Sequence, residues 1–152
     1  MCSVVPAYPW DQHRKILILR QPCKYHFTNL LVAVAYHPQR IRNIDDFLAL
    51  PQTIQAIWYE WLVAQELLRR SAIVGEEILL PLAFWKNQFH EIDFVTLHEN
   101  FIEVKRGSAS ALEFAWFVQQ FPGKHLTVIN SRKMDSKYIH GLSLEDFLLA
   151  EK

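Results

Sequence analysis

Hydrophobic and polar positions along this chain recur with two periods, and each predicts its own elements. Residues 53–71 carry the clearest helical period. Ile54, Ile57, Trp61, Ala64 and Leu68 recur at steps of three and four and predict one buried helix face, with Gly75 just past the end. Residues 24–36 hold an apolar run that fits a helix or a buried strand, closed by His37-Pro38. Asn43 or Asp45 can cap a short helix through Leu50, with Pro51 as its stop. A strand is predicted over residues 78–85 and a turn at Lys86-Asn87-Gln88. Period-two alternation follows over 91–97, with Ile92 and Phe94 on one side and Asp93 and Val95 on the other. It resumes over 101–105 after a turn at His98-Glu99-Asn100. Ser108 or Ser110 opens a helix to about Phe121, where Pro122-Gly123 stops it. Residues 125–130 read as a buried strand, and Ser143 caps a last helix over 144–150.

That order predicts an α/β fold: a mixed central sheet containing a hairpin, flanked by helices. Pro6, Pro9 and Pro22 break the periodicity of the first 23 residues, where only residues 16–19 look strand-like. Residues 1–23 are therefore expected to be an arm or the remnant of something larger, ahead of one domain over 24–152.

Composition narrows the class. Hydrophobic residues make up 51% and charged residues 21% of 152, which excludes a disordered chain. No window approaches eighteen apolar residues, so no membrane partner is expected. Two cysteines, Cys2 and Cys23, lack metal-site spacing and make a reducing, cytoplasmic setting the default. Net charge is zero but unevenly spread: +5 over residues 1–44, −7 over 45–103 and +2 over 104–152. A localised acidic site beside basic surface is thus allowed, while a whole-protein polyanion binder is excluded.

The acidic segment holds the candidate chemistry. Residues two apart on a strand share a face, so Glu103 and Lys105 point together, opposite Ile102 and Val104. Asp93 joins them only if the hairpin pairs residues whose numbers have an even sum. A three-residue loop, His98 to Asn100, does this by pairing Leu97 with Phe101, Val95 with Glu103 and Asp93 with Lys105, with Asn100 in the left-handed position. A bulge can also rescue the geometry. Two close carboxylates then need a cation between them, and Mg²⁺ or Mn²⁺ satisfies oxygen ligands of this type. From the helix, Glu66 has Arg69 and Arg70 one turn on and reads as a solvated, salt-bridged residue. Glu60 has no charged helical neighbour and needs a partner from the sheet.

Asp93, then Glu103-Val104-Lys105 ahead of a helix, with a helical Glu60, resembles the PD-(D/E)xK nuclease superfamily. From Lys24 onward the chain is similar to the uncharacterised domain at the C-terminus of prokaryotic AAA+ type ATPases. The shared features are Lys24-Tyr25-His26-Phe27, the 58–67 stretch, Phe84-Trp85, residues 91–95 and Ile102-Glu103-Val104-Lys105-Arg106-Gly107. Thr28-Asn29 stand where that family usually has an Asp, and no phosphate-loop motif of an ATPase occurs in the chain. The resemblance implies a restriction-endonuclease-like core. It also implies Asp93, Glu103 and Glu60 at a metal site for Mg²⁺ or Mn²⁺, with Lys105 positioning the nucleophile. Arg106 and Lys86 are candidate phosphate contacts; Arg69-Arg70 and Arg132-Lys133 are weaker ones. Trp58, Trp61, Trp85 and Trp116 read as core, and Gln119 and Gln120 as helix surface.

Two functions stay open. One is a Mg-dependent deoxyribonuclease. The other is a catalytically silent interaction or regulatory domain, with a protein partner or a second copy of itself in place of DNA.

Overall fold

A computed structural model describes residues 4–38, 41–73, 75, 82–96 and 98–150. Among these, nine strands form one mixed sheet. They are β1 (Val4–Asp11), β2 (Ile16–Leu17), β3 (Lys24–Phe27), β4 (Leu82–Lys86), β5 (Glu91–Val95), β6 (Phe101–Val104), β7 (Leu126–Ile129), β8 (Met134–Asp135) and β9 (Ile139–Leu142). The order is β2-β1-β4-β5-β6-β7-β9-β8, with β3 also beside β1. The hairpin β4-β5-β6 is antiparallel; β1–β4, β6–β7 and β7–β9 are parallel. The helices are α1 (Leu30–Tyr36), α2 (Ile44–Leu48), α3 (Gln52–Ile73), α4 (Ala115–Gln120) and α5 (Leu144–Leu149). No helix among the described residues is long and apolar enough to cross a membrane.

The central strands alternate between two cores. Phe101, Leu126 and Val128 pack with Phe114, Phe117 and Phe121 under α4. Ile102, Val104 and Ile129 pack on the other side with Val63 and Ala64 of α3 and Phe147 of α5. Buried on both faces, β6 and β7 read as continuous apolar runs broken only by Glu103 and Thr127. That break is what places chemistry in the middle of the molecule.

Side-chain caps account for three of the five helix starts among the described residues. Asn29 accepts from the N–H groups of Leu31 and Val32, Asn43 from Asp46, and Ser143 from Asp146. Asn29 is thus the cap for α1. Ser110 N–H donates to Glu113 Oε1 at 2.7 Å, and a 3-10 turn (Ala111–Phe114) precedes α4 in place of the single helix expected.

Two expectations are corrected here. Residues 4–11, expected within an arm or remnant, form β1 inside the sheet, parallel to β4, with Ala7 opposite Leu82. Its prolines are tolerated because, among the described residues, Pro6 is registered only with β3 and Pro9 only with β4. The buried face of α3 is Gln55, Trp58, Val63, Ala64 and Glu66, whereas Ile57 is exposed. The two-residue β8 and the His- and Gly-containing β9 had no legible period. Of the strand predicted over 78–85, residues 78–81 lie outside the described residues.

Gly141 is where the short edge strands close on β7. A Cβ there would collide with Met134 Cγ and come within 3.0 Å of Asn130 Nδ2 and 3.1 Å of the Arg132 carbonyl. Asn130 cannot swing away, since it is buried, donates to the Val128 carbonyl and accepts from Arg132 N–H. Gly141→Ala is expected to cost about 1–3 kcal/mol and lower the melting midpoint by several degrees. An unchanged midpoint in thermal unfolding would refute that packing account.

Candidate active site

The site forms where β5 and β6 part. Observed pairs are Phe94 with Ile102 and Val95 with Phe101. The sum is even, as required, but two lower than expected, so continuing the ladder sets Asp93 opposite Glu103 instead of Lys105. Thr96 N–H donates to the Asn100 carbonyl at 3.0 Å, and the left-handed residue is Glu99 (φ 55°), not Asn100. Leu97, expected to pair with Phe101, lies outside the described residues. Glu99 is held in its strained conformation by ion pairs to Lys15 and Lys124.

β5 also carries a bulge. Ala83 and Trp85 of β4 are two residues apart, yet they face Val95 and Ile92, which are three apart. Ile92 and Val95 therefore share one core while Phe94 enters the other, correcting the expected pairing of Ile92 with Phe94. The bulge frees Asp93 from ordinary alternation. Its Oδ2 accepts the Val104 N–H at 2.9 Å.

The neighbouring groups then assemble around it. Lys105 Nζ lies 2.6 Å from Glu103 Oε1, while Glu103 Oε2 is buried without a hydrogen-bond partner among the described residues. Lys24 of β3 reaches over the Phe84 ring to Asp93 Oδ1 (3.5 Å), to Glu60 Oε2 of α3 (4.0 Å) and into contact with Glu91. Lys86 closes the rim on Glu91 at 2.7 Å. Arg106 turns toward α3, donating to Gln55 Oε1 at 2.8 Å and lying over the Tyr59 ring. Gln55 is itself fixed by the Leu48 and Leu50 carbonyls.

Burial sets the protonation chemistry. It pushes Glu103 up to about 8 and Glu60 to about 7, in each case helped by the Asp93 charge. Asp93 is also raised, by burial, against the pull of Lys24 and the Val104 N–H. Burial acts downward on Lys24 and Lys105, but the carboxylates outweigh it and both stay firmly cationic. Glu91 is held below the usual range because hydrogen bonds from Lys24 and Lys86 outweigh its burial. His26, enclosed beside Phe94, is kept neutral: burial, then Lys24, pushes it down to about 4.

No protein-family model, curated protein or solved structure matches this chain.

Four carboxylates and two inner lysines, drawn from α3, β3, β5, β6 and the residue after β6, thus share one corner of the sheet. Glu103 and Lys105 come together as the strand reading expected, Asp93 joins them at the bulge instead of by pairing with Lys105, and Glu60 finds its sheet partner in Lys24. Lys24 and Glu91 were missed as site members. Glu91 had a signal, being two residues from Asp93 on one strand; the reach of Lys24 across β1 and β4 had none. Other candidates lie elsewhere: Arg69 and Arg70 clamp Glu66, which is buried and ion-paired instead of solvated, and Lys133 pairs with Asp146. Trp58 and Trp85 are core, and Gln120 bonds Gln12.

Among the described residues, no group of three or more His, Cys, Asp or Glu side chains is already arranged to hold a metal ion. The donor set is nonetheless all oxygen, and the orphaned Glu103 Oε2 is an acceptor that a hard cation would satisfy. The residue types fit Mg²⁺ or Mn²⁺; the lysines already compete for the same oxygens.

Proposed function

We propose that this chain is a metal-dependent phosphodiesterase acting on DNA, with a restriction-endonuclease-like core of the PD-(D/E)xK type. The observation that carries the reading is Glu103: a carboxylate only 6% exposed, with one oxygen unpartnered among the described residues, set beside Asp93 and Lys105. Burying such a group costs stability, and a functional role is a reason for a chain to keep it at that cost. Asp93, Glu103 and Glu60 would hold Mg²⁺ or Mn²⁺, which would supply charge stabilisation at a phosphoryl group and a more acidic water. Lys105 keeps its ammonium beside Glu103, where it can orient the attacking water and offset negative charge as it develops. Arg106, braced by Gln55, and Lys86, at the rim, are positioned to meet flanking phosphates. Lys24 balances Asp93, Glu91 and Glu60 and must release Asp93 for a cation to approach.

The same Lys24 favours a second reading. A lysine already contacting three carboxylates can be their permanent counter-ion, leaving a nuclease-like scaffold as a catalytically silent module. That module would be an interaction or regulatory domain derived from the C-terminal part of an AAA+ type ATPase. Its partner would be another protein or a second copy.

One experiment separates the two. Duplex, single-stranded and branched DNA are incubated with the protein in Mg²⁺, Mn²⁺ or chelator, while calorimetry follows metal binding directly. Cleavage that requires the ion is the expected result. Intact DNA together with no metal binding at millimolar concentration overturns the nuclease and favours the silent module.

A further inference from the structure

At the β8 edge of the sheet, β7, β8 and β9 bring two histidines and a carboxylate into a chain. Thr127 is opposite His140 across β7–β9, and Asp135 is opposite His140 across β8–β9. Asp135 Oδ1 lies 2.7 Å from His140 Nδ1, and His140 Nε2 lies 3.4 Å from Nδ1 of His125, the residue just before β7.

We propose that His125 and His140 form a surface site for a divalent transition metal of the zinc type, oriented by Asp135. Three observations carry this. The 3.4 Å separation is long for an N–H···N hydrogen bond but fits a tetrahedral edge, which is about 3.3 Å when both metal–nitrogen bonds are 2.0–2.1 Å. A carboxylate on Nδ1 of His140 makes that nitrogen the protonated one and leaves the Nε2 lone pair facing His125. A carboxylate behind a ligating imidazole is also the usual second partner of zinc-bound histidine. The backbone contributes rigidity, because all three residues sit on or against paired strands. Imidazole nitrogens select zinc, copper or nickel over Mg²⁺, so this site differs in chemistry from the carboxylate cluster. Two ligands leave positions open for water or an anionic ligand. No sequence spacing announced the pair, since fifteen residues and a strand crossover separate the histidines.

Zinc alone, titrated calorimetrically into the full chain at pH 7.5, tests the site. The parent is expected to take up one zinc by about 100 μM, with His125→Gln and His140→Gln each weakening binding at least tenfold. Asp135→Asn is expected to weaken it about tenfold while leaving both ligands in place. All three positions are solvent-facing, and circular dichroism checks that each variant is folded. Absence of zinc uptake by the folded parent overturns the proposal. So does uptake that either histidine substitution leaves unchanged. An unaltered affinity in Asp135→Asn refutes the orienting role.

Discussion

Asp93→Asn is expected to fold and to cleave DNA slower by a factor on the order of 10³, equivalent to about 4 kcal/mol of transition-state stabilisation. The choice of asparagine matters. Asp93 Oδ2 accepts the Val104 N–H at the point where β5 and β6 part, and an amide oxygen can replace it there. Alanine would remove that bond along with the charge and confuse folding with function. Lys105→Ala should cause a similar loss through a different route, since it removes the ammonium beside Glu103 and leaves the carboxylate unpaired. Single-turnover cleavage with saturating Mn²⁺ measures both. Rates within about threefold of the parent in Asp93→Asn would remove this residue from any catalytic role.

Glu103→Gln is expected to move activity and stability in opposite directions. The parent's Glu103 and Glu60 are raised to about 8 and about 7 from an ordinary 4.5. A carboxyl raised in the folded state binds protons more tightly there than in the unfolded chain. Its contribution is therefore fully present below pH 4.5 and is lost as pH rises through 7 and 8. His26 works the other way: its folded value near 4 makes it stabilising above its unfolded value and costly as pH falls toward 4. The two trends overlap below about pH 6.5, so the clean window is pH 6.5 to 8.5, where stability should fall. Glutamine at 103 carries no charge to bury. The variant should be more stable than the parent at pH 8.5 by something on the order of 3 kcal/mol, with a flatter pH profile, while cleavage is lost. Urea unfolding at pH 6.5, 7.5 and 8.5 checks this. Equal slopes for parent and variant would mean that Glu103 ionises freely.

The nearness of Glu103 and Lys105 was legible because strand chemistry has a period of two. That rule forced Glu103 and Lys105 together and demanded an even hairpin sum, which Phe94–Ile102 satisfies although the register itself slipped by two. The slip depended on loop residues: Glu99, secured by Lys15 and Lys124, took the left-handed position that local preference assigned to Asn100. The face of α3 was misread for a related reason. Two of its buried positions, Gln55 and Glu66, are polar, and hydropathy cannot foresee that the Leu48 and Leu50 carbonyls and Arg106 satisfy one, or that Arg69 and Arg70 satisfy the other. Prolines hid β1, since the sequence does not say which edge of a strand stays unpaired. The mixed α/β class survived these errors because it depends only on the succession of elements.

The place of β1 has a consequence for how the protein is made. This strand leaves the ribosome well before its parallel neighbour β4, which begins more than seventy residues later. Until then β1 has, among the described residues, only the short antiparallel partners β2 and β3, a three-stranded fragment with an open edge. Closing a parallel pair across so long a loop is slow, and an open edge invites pairing with other chains. Synthesis therefore passes through a stretch in which the nascent chain depends on being kept apart from its neighbours, and the sheet can close only after the hairpin bearing Asp93 has begun to emerge.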